Sequence, residues 1–181
     1  MEDRPPFHVI TGGPGTGKST LIAALAAAGH RVCEEVARPI IRAQVAASGN
    51  AVPWGDHAAF AALMFAGEKA AYDAALATDQ PVFFDRGFPD IAGFLALSGL
   101  PTPAEVDAAC RTLRYRSPVF ITPPWADIFT QDSERKQDFA EAERTHAAMI
   151  AVYSHYGYTL VELPRASIAA RMAFLLERVE V

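Results

Sequence analysis

Long apolar runs are missing from this 181-residue chain. No window approaches the ~20 uninterrupted apolar residues that a membrane-spanning helix needs. Residues Met1 to Pro6 carry both signs of charge and two prolines, without the apolar stretch of a signal peptide. Cysteine is scarce: Cys33 and Cys110 stand far apart, a spacing that suits neither a disulfide framework nor a metal site. The five histidines are scattered without ligand-like spacing. Positive charge is also in short supply, with a net charge of -5 and no block of consecutive basic residues. The electrostatic footprint of a nucleic-acid binder is therefore absent, and nucleic acid is not an expected partner. Of the sixteen basic residues only Lys18, Lys69 and Lys136 are lysines. The arginine excess suits bidentate phosphate contacts and equally suits a compositional bias. A cytoplasmic, reducing setting without a membrane span is the expectation, as a monomer or small homo-oligomer.

What is present is an alternation of short apolar runs and longer helical stretches. It predicts an α/β fold with a five-stranded parallel sheet covered by helices on both faces. The expected strands are Phe7 to Thr11, Arg31 to Glu34, Pro81 to Asp85, Ser117 to Thr122 and Tyr158 to Leu163. Asp56 is placed to cap a long helix reaching about Ala77 through Phe60, Leu63, Met64 and Tyr72. Thr102-Pro103-Ala104-Glu105 has the form of a capping box, opening a helix to roughly Tyr115. Phe139, Ala142, His146, Met149, Ile150 and Tyr153 give one helix an apolar face, and Ile168 to Val179 form a closing helix. With no linker or repeat, residues 1–181 read as one domain.

Gly12-Gly13-Pro14-Gly15-Thr16-Gly17-Lys18-Ser19 fills every fixed place of the phosphate-binding pattern G-x-x-x-x-G-K-[ST], directly after an apolar run. Backbone N–H groups can turn inward around phosphate oxygens only where Cβ atoms do not obstruct them. Lys18 adds a charge for the β and γ phosphates and Ser19 a hydroxyl for Mg²⁺. The helix that starts there, through Thr20, points its positive end at the anion.

A second group of residues bears on what happens to that nucleotide. Asp85 ends the most apolar strand, on the edge where open α/β sheets place ligands. It can hold Mg²⁺ or accept a proton from an attacking hydroxyl, or merely cap a turn. Arg86 and Gly87 follow at once. Glu34 and Glu35 end the second strand on the same edge; Glu35, one helical turn before Arg38, is the more suitable to face the cleft. Pro123 to Lys136 lies where a lid would deliver Arg135 to a transferring phosphate, or is an ordinary surface loop. Arg111, Arg114 and Arg116 are further candidates for phosphate contact, and Trp54 could line an acceptor pocket or anchor a turn.

These residues together resemble a family of small AAA-like predicted ATPases whose P-loop domain is related to bacterial ribosylnicotinamide kinase. The resemblance rests on Thr11 to Thr20, Glu35-Val36-Ala37-Arg38, Pro53-Trp54, Phe84-Asp85-Arg86-Gly87 with Asp90, Pro123-Pro124-Trp125, Asp132 through Gln137, and Gly157-Tyr158 to Pro164-Arg165. More distantly, Asp85-Arg86-Gly87 is similar to the acidic-Arg motif of thymidylate and deoxynucleoside kinases, and Glu35 matches their acid after strand two. The resemblance implies transfer of the γ-phosphoryl group of ATP to a small-molecule acceptor with Mg²⁺. The implied catalytic set is Lys18, Glu35, Asp85, Arg86 and Arg135, with Ser19 and Asp85 at the metal. The acceptor and lid motifs of those kinases are not recognisable, so the acceptor is unidentified.

The competing reading is an ATP- or GTP-dependent switch or slow NTPase without an acceptor. A Ras-like GTPase is disfavoured, since no N-K-x-D motif occurs and Phe88 stands where a D-x-x-G pattern from Asp85 needs glycine. Whether Glu35 or Asp85 is the base stays open at this point, as does ATP against GTP.

Overall fold

The computed structural model describes residues 5–128 and 138–179. In chain order the elements are β1 (Phe7–Gly12), α1 (Lys18–Ala27), β2 (Arg31–Cys33), α2 (Ala37–Ala46), α3 (His57–Ala75) and β3 (Val82–Asp85). They continue with α4 (Phe88–Leu97), α5 (Ala104–Thr112), β4 (Val119–Thr122), α6 (Phe139–His155), β5 (Leu160–Glu162) and α7 (Ile168–Leu176). The five strands form one parallel sheet in the order β2-β3-β1-β4-β5. β1 is central, so the loop that leaves its carboxyl end emerges in the middle of the sheet edge.

Parallel strands covered on both faces are apolar on both sides, and their alternation divides the core in two. Phe7, Val9, Val82, Phe84, Val119 and Ile121 point to one face and pack against α3, α4, α5 and α6. Ile10, Phe83 and Phe120 point to the other, where Leu21, Ile22 and Leu25 of α1 meet Leu175 of α7. Helix starts follow side-chain chemistry. Asp56 accepts from the Ala59 amide at 2.9 Å, Asp138 from Glu141 at 2.7 Å and Ser167 from Ala170 at 3.3 Å.

Several expected boundaries shift. β2 ends at Cys33, which leaves Glu34 and Glu35 in the loop before α2. The capping box at Thr102 does not form: Pro103 occupies the cap position, no side chain caps it, and α5 ends at Thr112. Leu63 and Ile150 lie on the outer sides of α3 and α6, 38% and 41% exposed. The helical stripes are narrower than the apolar pattern because alanines take up much of the contact surface. Helix α4, which the apolar pattern did not reveal, is buried at Phe88, Pro89, Asp90, Ile91, Ala92, Gly93 and Leu95. A helix enclosed on nearly every side loses the polar face by which amphipathic periodicity is recognised.

Phe84→Ala is expected to cost about 3–5 kcal/mol of stability, whereas Ile150→Ala should stay within about 0.5 kcal/mol. Urea denaturation of the two variants measures both, and an equal loss would contradict the burial assigned to α6.

Candidate phosphate and acceptor site

The loop between β1 and α1 is shaped by crowding as much as by sequence. Gly12 has φ +132°, and a Cβ there would run into the Thr122 hydroxyl on β4. Gly17, the N-cap of α1, has φ +83°. Both conformations disfavour any L side chain. The Thr16 hydroxyl lies 2.8 Å from the Gly13 carbonyl and 2.6 Å from the Thr122 hydroxyl, which also approaches the Thr11 carbonyl at 3.1 Å. Lys18 is buried, and its Nζ donates to the Gly13 carbonyl at 2.6 Å, folding the side chain back over the loop. Ser19 and Thr20 are exposed on the first turn of α1. Gly12 to Thr20 are therefore gathered around one backbone concavity. Arg171 of α7 braces it by donating to the Thr16 carbonyl at 3.1 Å.

Asp85, at the end of β3, pairs in register with Ile10 of β1. It is buried, and its Oδ1 has no hydrogen-bond partner. Burial pushes its carboxyl up from the usual range; the charge of Lys18 opposes this and that of Glu35 adds to it. An orphaned carboxylate oxygen beside a phosphate loop is the kind of hard donor that suits Mg²⁺.

The chain then turns sharply at Arg86, a non-glycine residue with φ +81°. That conformation costs roughly 1–2 kcal/mol, and three partners fix it. Arg86 donates from Nε to Glu35 Oε1 at 3.1 Å, and from Nη1 to Asp90 Oδ1 at 3.0 Å and to the Gly12 carbonyl at 3.1 Å. Burial works against its charge, but Glu35, Asp90 and Asp85 outweigh burial and hold the guanidinium more firmly protonated than usual. Glu35 Oε2 meets Arg38 Nε at 3.4 Å.

Asp90 is the hub. Its Oδ1 accepts from the Thr11 hydroxyl at 2.6 Å and from Arg86, and its Oδ2 from the Gly87 amide at 3.0 Å and the Tyr153 hydroxyl at 2.6 Å. The reach back to Gly87 is the carboxylate half of a capping box at the start of α4, so Gly87 followed three residues later by an acid was the available sequence signal.

A cavity of about 1130 Å³ opens beside this cluster. It reaches from Pro14 of the phosphate loop past Glu35, Arg86 and Asp90, between α2, α3, α4 and α6. Trp54 and His57 lie on its wall, and Asp85 does not. The two candidate acids thus separate, Glu35 on the cavity and Asp85 toward the phosphate loop.

Glu68 of α3, not singled out by sequence, also lines the cavity while being 3% exposed. The Tyr115 hydroxyl donates to its Oε1 at 3.0 Å. Burial pushes its carboxyl up to about 8, against that hydrogen bond, and the Asp90 and Asp85 charges add to the shift. Its signal was an acid inside the buried row Phe60, Met64, Tyr72, at spacings of four.

Other candidates stand elsewhere. Arg111 pairs with Asp107 on the surface, Arg114 lies over the Tyr158 ring at 3.9 Å, and Arg116 approaches the Pro5 carbonyl. None of the three lines the cavity. Arg135, with Asp132 through Gln137, lies outside the described residues, as does most of the expected lid; its first residues, Pro123 to Ile128, are described and include a short 3₁₀ turn at Ala126–Ile128. Among the described residues no helix is long and apolar enough to cross a membrane, and no cluster of three metal-ligating side chains occurs.

A family model for an AAA domain matches residues 7–171. No curated protein sequence matches the chain. Among solved structures, NadR protein in complex with NR is similar at a TM-score of 0.68 and 18% identity, over 98% of this chain and 52% of that one. NadR protein in complex with NAD and AMP-PNP gives 0.69 and 18%, over 98% and 50%. The chain thus spans about half the length of these NadR structures. A thymidylate kinase from Ehrlichia chaffeensis gives 0.63 and 13%, over 94% of this chain and 96% of that one. The fold is that of kinase-like P-loop proteins.

Asp90→Ala removes the shared acceptor of four donors and is expected to cost about 3–5 kcal/mol, read from chemical denaturation. Glu68 gives a pH signature. Its folded pKa, about 8, lies above the unfolded 4.5, so its contribution to stability is fully present below 4.5 and is lost as pH rises to about 8. The stability difference between the native protein and Glu68→Gln should fall across that window and then level. Urea midpoints at a series of pH values check this, and a flat difference would remove the raised carboxyl.

Proposed function

The chain belongs to the AAA domain family, and from that premise we propose that it is an ATP-dependent phosphotransferase that moves the γ-phosphoryl group of ATP to a small-molecule hydroxyl. The observation that carries this reading is the cavity beside the phosphate loop with Glu35 on its wall. A cavity of about 1130 Å³ against the phosphate loop offers the room a second, small-molecule substrate needs.

The roles follow from position. The amides of Gly13 to Ser19 cradle the phosphates, and Lys18 exchanges its bond to the Gly13 carbonyl for the β and γ phosphate oxygens. Ser19 and Asp85 would hold Mg²⁺, which supplies charge neutralisation between the β and γ phosphates. The buried Oδ1 of Asp85, without a hydrogen-bond partner among the described residues, supports it in this role. Glu35 accepts the acceptor's hydroxyl proton as that oxygen bonds to the γ phosphorus and the bond from the γ phosphorus to the β–γ bridging oxygen breaks, releasing ADP. Glu35 accepts from Arg86 at one oxygen and meets Arg38 at the other, contacts that favour its carboxylate form. Arg86 orients Glu35 and ties it to Gly12 of the loop.

The deciding assay incubates the protein with Mg²⁺ and ATP and a panel of nucleosides, nucleotides and cofactors, with phosphorylated products read by mass spectrometry. Lys18→Ala should weaken ATP binding by about 1.5–3 kcal/mol in calorimetry. Glu35→Gln should leave ATP affinity intact and lower transfer by about 10²–10⁴ fold. ATP hydrolysis with no phosphorylated acceptor, at a rate indifferent to Glu35→Gln, would instead establish a slow NTPase or switch.

A further inference from the structure

Of the acids on the cavity wall, Glu35 and Asp90 both hold Arg86. Glu68 differs. Among the described residues no cation stands within ion-pair distance of it, and its one hydrogen bond comes from Tyr115. The Phe88 amide donates to the Tyr115 hydroxyl at 3.4 Å, and Tyr115 donates to Glu68 Oε1 at 3.0 Å. A neutral carboxyl that accepts at Oε1 in this way carries its acidic proton on Oε2. Oε2 takes no hydrogen bond from the described residues, and the side chain lines the cavity.

We infer that Glu68 is a specificity-determining residue of the acceptor site, donating its Oε2–H to a carbonyl, ether or ring-nitrogen atom on an uncharged, largely apolar hydroxyl compound. This rests on reading the cavity as the acceptor site. The walls supply the apolar part of the argument: Phe60, Met64, Ile91 and Phe94 are on them, with Trp54, 62% exposed, at the mouth. Charge supplies the rest. Besides Glu68 the wall carries Glu35, Asp90 and Glu141 against Arg42 and Arg86, so an anionic group meets more acids than cations, and Arg86 Nε and Nη1 already donate to two carboxylates and a carbonyl. A cationic group would require Glu68 ionised, the form that burial opposes. A neutral molecule asks for neither.

The charged and titratable groups around Glu68 come from several elements. Asp85 on β3, Asp90 on α4 and Glu35 before α2 are acids, and Arg86 is held charged. Cys33 on β2 is pushed up to about 11, first by burial and then by Glu68 itself, and the Tyr115 hydroxyl is pushed well above its ordinary value. Raising pH through about 8 therefore removes the Glu68 donor and places a negative charge where it was.

The test uses the full chain with Trp125→Phe, leaving Trp54 as the one tryptophan, so that quenching reports occupancy of this cavity. The probe is Prodan, a neutral naphthalene ketone; anilinonaphthalene sulfonate is the anionic counterpart of similar bulk. Prodan should quench Trp54 and lose affinity by about tenfold as pH rises from 7 to 9. Glu68→Gln, which keeps an N–H donor, should bind it without that pH dependence, and Glu68→Leu should bind about tenfold more weakly at pH 7. Thermal melts of each variant confirm folding. Overturning results are absence of quenching, equal or tighter binding of the sulfonate, or a Prodan affinity indifferent both to pH and to Glu68→Leu. ATP binding, measured separately by calorimetry, belongs to the phosphate loop. Absence of ATP binding together with pH-dependent Prodan binding would defeat the phosphotransferase reading, and with it the acceptor role, leaving Glu68 as a donor to neutral ligands of this cavity.

Discussion

The site depends on the bond that Asp90 makes with Arg86. Through it a carboxylate on the first turn of α4 fixes a guanidinium that also holds the first glycine of the phosphate loop and the acid after β2. Three segments distant in sequence thus take their positions from a single planar group. Arginine suits this because its fork presents several donors in fixed directions, whereas lysine offers a point charge. Thr11 and Tyr153 complete Asp90 from β1 and α6. A buried carboxylate with this many donors is a constraint on geometry more than a source of net stability.

The same arrangement sorts the acids by environment. Asp85 is enclosed near Lys18 with one oxygen unpartnered, Glu35 is ion-paired on the cavity wall, and Glu68 is kept from ionising by burial. Three carboxyl groups within one region are thereby given different partners and enclosure, a physical route to distinct roles.

The fold was legible because its signals are local. Gly12 to Ser19 followed an apolar run, and Val82-Phe83-Phe84 allowed only a buried strand. The five strands appear where the alternation put them, β1 longer by Gly12 and the other four trimmed by a residue or two at their ends. The site was legible in part. Gly12 to Thr20, Glu35, Asp85 and Arg86 stand on one sheet edge, as carboxyl-end reasoning implies. Asp90 entered the reading only as part of a motif, since nothing local shows that an acid at the third position of a helix will collect donors from β1 and α6. Glu68 was hidden because an acid in an alanine-rich helix, beside Lys69 and near Asp73, looks like its solvent face. Its burial follows from the seating of α3 over β3 and Tyr115, a tertiary fact. The thin apolar stripes of α3 and α6 misled at Leu63 and Ile150 for the converse reason: spacing alone does not say how wide a buried face is.

The left-handed backbone at Arg86 has a consequence for how this corner can change over generations. Glycine would relax that conformation, yet as a single replacement it strands Glu35 and Asp90 without their shared cation. Replacing either acid alone leaves the guanidinium strained and under-compensated. Each one-step neighbour of the triplet 35, 86 and 90 is therefore worse than the present one, and an alternative corner lies across a valley that only concerted substitution crosses. Mutational drift in this chain should run around these three positions, with diversification confined to the cavity walls that they frame.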